Sequence, residues 1–152
     1  MKTQMKTQIV AALLLLPFGY PLQAQISTPA ANSITTQINA MVSDHTDTIV
    51  VPTDGNEAVI VASTKILSNK QVLDLWMFVS GCAVGKYLND NPSVRINEIW
   101  FADVAGMKSK PMTYYSLPTD VAKSVQARIN RGEIKLEDGM RILSQKLSKN
   151  TK

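Results

Sequence analysis

Between Ser68 and Leu88 the chain reads SNKQVLDLWMFVSGCAVGKYL, the longest nearly uninterrupted apolar stretch beyond the N-terminal segment. Ser68 with Gln71 three residues on fits a capping box, in which each side chain satisfies the other's free backbone N–H. Asn89-Asp90-Asn91-Pro92 supplies the stop. The spacing predicts one long helix. At about 100° per residue, Val72, Trp76, Val79, Ala83 and Tyr87 share one face, Leu73, Met77, Val84 and Leu88 a second, and Leu75, Phe78 and Cys82 a third. Only Asp74, Gly81 and Gly85 form a weakly apolar strip. A helix apolar nearly all round has to be covered on more than one side.

Period-two patterns flank this helix. Thr48–Pro52 (TIVVP) and Ala58–Ser63 (AVIVAS) are β-branched runs joined through Asp54-Gly55, which predicts a hairpin. Beyond the helix, Val94–Phe101 (VRINEIWF) alternates at Val94 and Ile96 and then runs together at Ile99, Trp100 and Phe101. That strand is either buried on both faces at its end or bulged. A helical alternative places Ile96, Ile99, Trp100 and Val104 on one face. Ala102–Lys110 reads as a loop and Pro111–Leu117 (PMTYYSL) as the return strand of a second hairpin.

Three shorter helices complete the reading. Ser33 caps the first, with Ile34, Ile38, Met41 and Val42 as its stripe. Thr119 caps the second, with Asp120 near its positive end, Val121, Val125 and Ile129 as its stripe, Arg128 and Arg131 near its end and Gly132 as a left-handed terminator. The third begins after Lys135 and repeats Leu136, Met140, Leu143 and Leu147, and Lys149 to Lys152 forms a frayed tail. The order predicts an α+β, two-layer domain: antiparallel β-hairpins packed on a long central helix, with a C-terminal helical hairpin. The segments are 1–24, a leader; 25–47, a linker with a short helix; 48–148, one domain; and 149–152, the tail. The terminal pair, RINRGEIKLEDGMRIL, resembles the helical hairpins of the SHOCT type, a resemblance confined to the helix, Gly-x-Ile, acidic turn, helix pattern and carrying nothing about function.

Composition alters this picture at the N-terminus. Lys2 and Lys6, the apolar run Ile9–Leu16 and the Leu22-Gln23-Ala24 ending have the form of a secretory signal peptide. The run falls short of the roughly 20 residues a bilayer span needs. The expectation is a periplasmic or extracellular protein that is not integral to the membrane once the leader is removed. Loss of Lys2 and Lys6 lowers the net charge from +4 to +2. Charge is also unevenly spread, with four basic and eight acidic residues over 25–103, and ten basic and four acidic over 104–152. A single cysteine allows no internal disulfide, so stability has to come from a core, with association as a further source open to it.

Candidate chemistry is sparse. Asp44, His45 and Asp47 offer two carboxylates and the one imidazole in a polar connector, without the further ligands a metal site needs. Cys82 sits mid-helix among Phe78, Val79 and Ala83, a packing position rather than the electropositive setting of a reactive thiol. No Gly-x-Ser-x-Gly or phosphate-cradling glycine loop occurs. Gly81 and Gly85 make a step of small residues that lets another backbone approach, from the chain's own core or from a second copy. Arg128, Arg131 and Lys135 lead a basic C-terminal third suited to anionic polymer or membrane surface, though Glu133, Glu137 and Asp138 interrupt it and argue against nucleic acid.

These features point to an exported, non-catalytic protein of the bacterial envelope or secretome that binds a macromolecule, either a protein partner or a second copy, with no cofactor and no metal. The alternative is an anionic-surface binder acting through the basic third. A third reading is a small secreted enzyme using Asp74, Asp103 or His45.

Overall fold

The computed structural model describes residues 27–42, 47–53 and 58–151. The leader expected over 1–24, His45 and the Asp54-Gly55 turn lie outside them. In chain order the elements are α1 (Thr28–Val42), β1 (Thr48–Pro52), β2 (Ala58–Ser63), α2 (Lys70–Asp90), β3 (Glu98–Ala102), α3 (Val104–Lys108), β4 (Thr113–Pro118), α4 (Thr119–Asn130), α5 (Leu136–Lys146) and β5 (Ser148–Thr151). The fold is α+β, with one five-stranded sheet in the order β1-β2-β3-β4-β5. Helices α1, α2, α4 and α5 share a core with one face of that sheet.

Both expected hairpins form as antiparallel pairs, β1 with β2 and β3 with β4. The expected all-antiparallel arrangement needs correction at their junction. There β2 and β3 pair in parallel, Val59 opposite Ile99 and Val61 opposite Phe101, so the sheet is mixed. Two parallel neighbours need a crossover long enough to return the chain to the starting edge, and α2 is that crossover. The expected tail is a second correction: Ser148–Thr151 is a strand pairing antiparallel with β4.

Helix α2 runs close to its expected span, but its cap is Asn69 rather than Ser68. The Asn69 Oδ1 accepts from the backbone N–H of Gln71 at 2.9 Å and of Val72 at 3.2 Å. Trp76, Met77, Phe78, Val84 and Leu88 are buried on it. Trp76 donates its indole N–H to the buried Thr48 hydroxyl at 2.9 Å, and its ring meets Phe101 edge-on at 5.9 Å. That contact ties the helix layer to the first and third strands at once.

Helix α1 is longer than expected and begins after Ser27, whose hydroxyl accepts from the Ala30 N–H, so Ser33 is interior. Ala31, Ile34, Ile38 and Val42 pack inward while Met41 turns outward. Its Thr35 and Asn39 seal the free edge of the sheet. Asn39 donates to the Thr48 carbonyl at 3.0 Å and accepts from the Thr48 N–H at 2.7 Å, and the Thr35 hydroxyl accepts from the Val50 N–H at 3.0 Å. Pro52, next along, has no N–H to offer. An open strand edge recruits other strands, and here one helix face answers it.

The Val94–Phe101 segment follows the strand reading and not the helical one: an irregular approach with Ile96 buried, then the strand Glu98–Ala102; the short helix α3 follows where a loop was expected. Asp103 caps α3, its Oδ1 accepting from Gly106 N–H at 2.8 Å. Thr119 is not a cap. It is the first residue of α4, and its hydroxyl donates to the Ile96 and Asn97 carbonyls, pinning the helix start to the loop before β3. Gly132 closes α4 at φ 72° as the sequence implies. The second sheet face holds a smaller cluster of Ala58, Ile60 and Trp100, against which Met107, Met112 and Tyr114 pack.

Candidate functional site

The weakly apolar strip of α2 is not its exposed side. Gly81 and Gly85 are both buried, and a Cβ on Gly85 would lie 2.6 Å from the Ala122 carbonyl oxygen of α4. The backbone that approaches this step is the chain's own. A Cβ on Gly81 would instead meet Leu117, Leu143 and Phe101 side chains at 3.5 to 3.7 Å. With α4 resting on the glycine side, α2 turns a different face outward.

That face is the stripe Leu75, Val79, Cys82 and Lys86, spaced i, i+4, i+7 and i+11. It lines a trough of about 430 Å³ together with Gln37 and Met41 of α1, Ile129 of α4 and Leu136 and Met140 of α5. Four large apolar side chains are conspicuously exposed among the described residues, and three of them border this trough: Met41 at 61 %, Leu75 at 36 % and Leu136 at 58 %. The depression is rimmed by the polar side chains Gln37, Gln126 and Asn130. Its volume falls within the usual range of roughly 300 to 1,000 Å³ for ligand sites.

Among the described residues that line the trough, Lys86 alone carries a formal charge at neutral pH, and its ammonium sits 2.8 Å from Asp90. Both partners are more than half exposed, so this is a surface pair of little worth. Cys82 also lines the trough, half-buried and free. Burial pushes its thiol up from the usual 9.0 to about 11, so at neutral pH it is a protonated, weakly polar group.

The remaining sequence candidates sit elsewhere. Arg128 and Arg131 converge on the carboxylate of Glu133 at the α4–α5 turn, with Arg131 Nε at 2.6 Å and Arg128 Nε at 3.8 Å. The Arg131 hydrogen bond holds the Glu133 carboxyl below its ordinary value and the guanidinium above its own. Lys135 is exposed one residue before α5. Asp74 pairs with Lys70 one turn away on α2. Asp103 commits both oxygens to backbone, Oδ1 to Gly106 and Oδ2 to the Leu67 N–H at 3.1 Å. A smaller cavity of about 170 Å³ lies beside Asp103, between Trp76, Tyr115 and Lys149, and the Lys149 ammonium is 6.0 Å from the centre of the Tyr115 ring. Among the described residues no three His, Cys, Asp or Glu side chains gather in a way that could hold a metal ion, and no helix is long and apolar enough to cross a membrane.

Sequence reasoning placed Leu75 and Cys82 on one helical face but gave that face no role, and it set Met41 and Leu136 in apolar stripes of their helices without separating them from the buried members. The signal was present as a stripe too apolar for solvent. Which stripe stays uncovered depends on where α4 lands, and Gly85 decides that. Comparison with known proteins finds no matching family model, no matching curated protein and no matching solved structure.

Proposed function

We propose that this chain is an exported, non-catalytic protein of the bacterial envelope or secretome that works by binding a macromolecule, and that the trough over α2 is where it binds. The observation that carries this reading is the concentration of exposed Met41, Leu75 and Leu136 around one apolar depression. Leaving such side chains in water costs roughly 25 cal/mol per Å² of apolar surface, a cost that a partner covering them removes. Support for a non-catalytic role is chemical: the thiol in the trough is held protonated, and Asp103 is engaged by backbone N–H groups. Export rests on the form of residues 1–24.

The test is affinity capture from the exported fraction of the native host, with the wild-type chain and the variant Leu75→Glu, Leu136→Glu. Both positions are open to solvent, so the variant should keep its fold and thermal midpoint. A partner retained by the wild type, lost from the double variant and still retained by Arg131→Glu supports the reading. Capture indifferent to the trough substitutions removes it. N-terminal sequencing of the exported chain should begin at Gln25, and a chain that keeps Met1 in the cytoplasm removes the export element.

A further inference from the structure

Beyond that reading, we infer that the smaller cavity, beside Asp103, is a binding site for a small zwitterion: a free α-amino acid with a compact apolar side chain, its ammonium toward Asp103 and its carboxylate toward Lys149. The topology places the cavity where such folds receive ligands. Strands β2 and β3 are parallel neighbours, and Leu67, which follows β2, and Asp103 and Gly106, which follow β3, all line it. In open sheets with parallel strands and crossover helices, ligands sit outside the carboxyl ends of the strands. Tyr115 of β4 and Lys149 of β5, which are register partners, add to the lining at the same end.

The charges on this lining select the ligand. Among the described residues that line the cavity, Asp103 and Lys149 alone carry formal charges at neutral pH, one of each sign. No ion pair joins them, and among the described residues no carboxylate pairs with Lys149 at all; its ammonium rests 6.0 Å from the centre of the Tyr115 ring. The Asp103 oxygens are fixed by the Leu67 and Gly106 N–H groups, one each. A carboxylate oxygen has two lone pairs, so each can accept once more. Opposite charges that share a small cavity without meeting leave a place for a molecule carrying both complements. A ligand that is only an anion is opposed by Asp103, and one that is only a cation by Lys149. Trp76 and Phe101, edge to face at 5.9 Å, supply apolar lining for the side chain. The cavity holds about 170 Å³. Since a dry cavity of about 150 Å³ takes one benzene ring, the fit is to a valine-sized body and not to an indole.

The test is titration calorimetry of the exported chain with valine, with valinamide, which lacks the carboxylate, with isovalerate, which lacks the ammonium, and with tryptophan. Valine should bind with a Kd of about 1 mM or tighter, and each of the other three at least about tenfold more weakly. Lys149→Met should bring valine down to the affinity of valinamide. Asp103→Asn, which keeps an acceptor for the Gly106 N–H, should bring it down to that of isovalerate. Lys149 is exposed, so its variant keeps the fold and decides the matter alone should Asp103→Asn unfold. Leu75→Glu with Leu136→Glu should leave valine binding unchanged, which separates this site from the trough. Isovalerate or valinamide binding as tightly as valine overturns the inference by making this an anion or a cation site. Valine binding that survives Lys149→Met overturns it as well, as does the absence of heat with every probe; the trough reading stands in each case.

Discussion

Alanine at Gly85 and alanine at Gly81 should move stability in opposite directions, although the two glycines lie one turn apart on the same helix. At Gly85 the new Cβ would be 2.6 Å from the Ala122 oxygen, 2.8 Å from the Ala122 carbonyl carbon and 3.1 Å from the Lys123 nitrogen, where ordinary contact begins at 3.4 Å. All three atoms are backbone, so no rotamer change relieves the clash. Helix α4 has to retreat, and its buried Ala122 loses contact with α2. Overpacking of this kind costs about 1 to 3 kcal/mol, offset by about 0.5 to 1 kcal/mol because alanine suits a helix interior better than glycine. A net loss of up to about 2.5 kcal/mol follows, with a middle value of roughly 1 kcal/mol. At Gly81 the Cβ meets only side chains, at 3.5 to 3.7 Å, so the helix-propensity gain remains and Gly81→Ala should be neutral or stabilised by up to about 1 kcal/mol. Urea unfolding at equal slope separates the two. Gly85→Ala unfolding at or above the wild-type midpoint would show that α4 does not rest on α2 at Gly85. A change in mass by light scattering for Gly81→Ala would show that the step also serves another chain.

The other expectations are briefer. Trp76→Ala should cost about 3 to 5 kcal/mol, because the ring is 1 % exposed and its N–H partner Thr48 is left buried; a loss below about 1 kcal/mol in the same urea assay would refute the packing. Asn39→Ala combined with Thr35→Val should unseal the β1 edge and shift the protein toward strand-paired oligomers on size exclusion, and an unchanged monomer would mean the edge needs no seal. The raised thiol of Cys82 binds its proton more tightly folded than unfolded, so wild-type stability relative to Cys82→Ala should fall as pH climbs from 9.0 toward about 11, by up to about 1.4 kcal/mol per pH unit. A flat difference over that range would place the thiol in water. Reversing Arg128, Arg131 and Lys135 to glutamate should abolish retention on heparin at low salt if the basic third docks on anionic surfaces, and retention that survives the reversal ends that alternative.

What the sequence determined by itself is whatever depends on neighbours within a few turns. The apolar periodicity of residues 68–88, the β-branched runs at 48–52 and 58–63 and the stop at Gly132 set backbone conformation locally, and each appears close to where it was read. Even there the cap of α2 slipped by a residue, because Ser68 and Asn69 both qualify and only packing selects between them, and the start of α1 moved from Ser33 back to Ser27. Pairing across the sheet was decided by the tertiary structure. Nothing in AVIVAS or EIWFA specifies that β2 lies parallel to β3; the length and landing of α2 between them do. A polar SKNT segment becomes strand β5 only because β4 offers it an edge, with Asn150 reaching the Ser116 hydroxyl at 2.7 Å. The trough belongs to the same class. Leu75, Val79 and Cys82 were readable as apolar, yet their exposure is fixed by α4 settling against a glycine, a contact between segments some 37 positions apart, and composition carries no record of which face such a contact leaves uncovered.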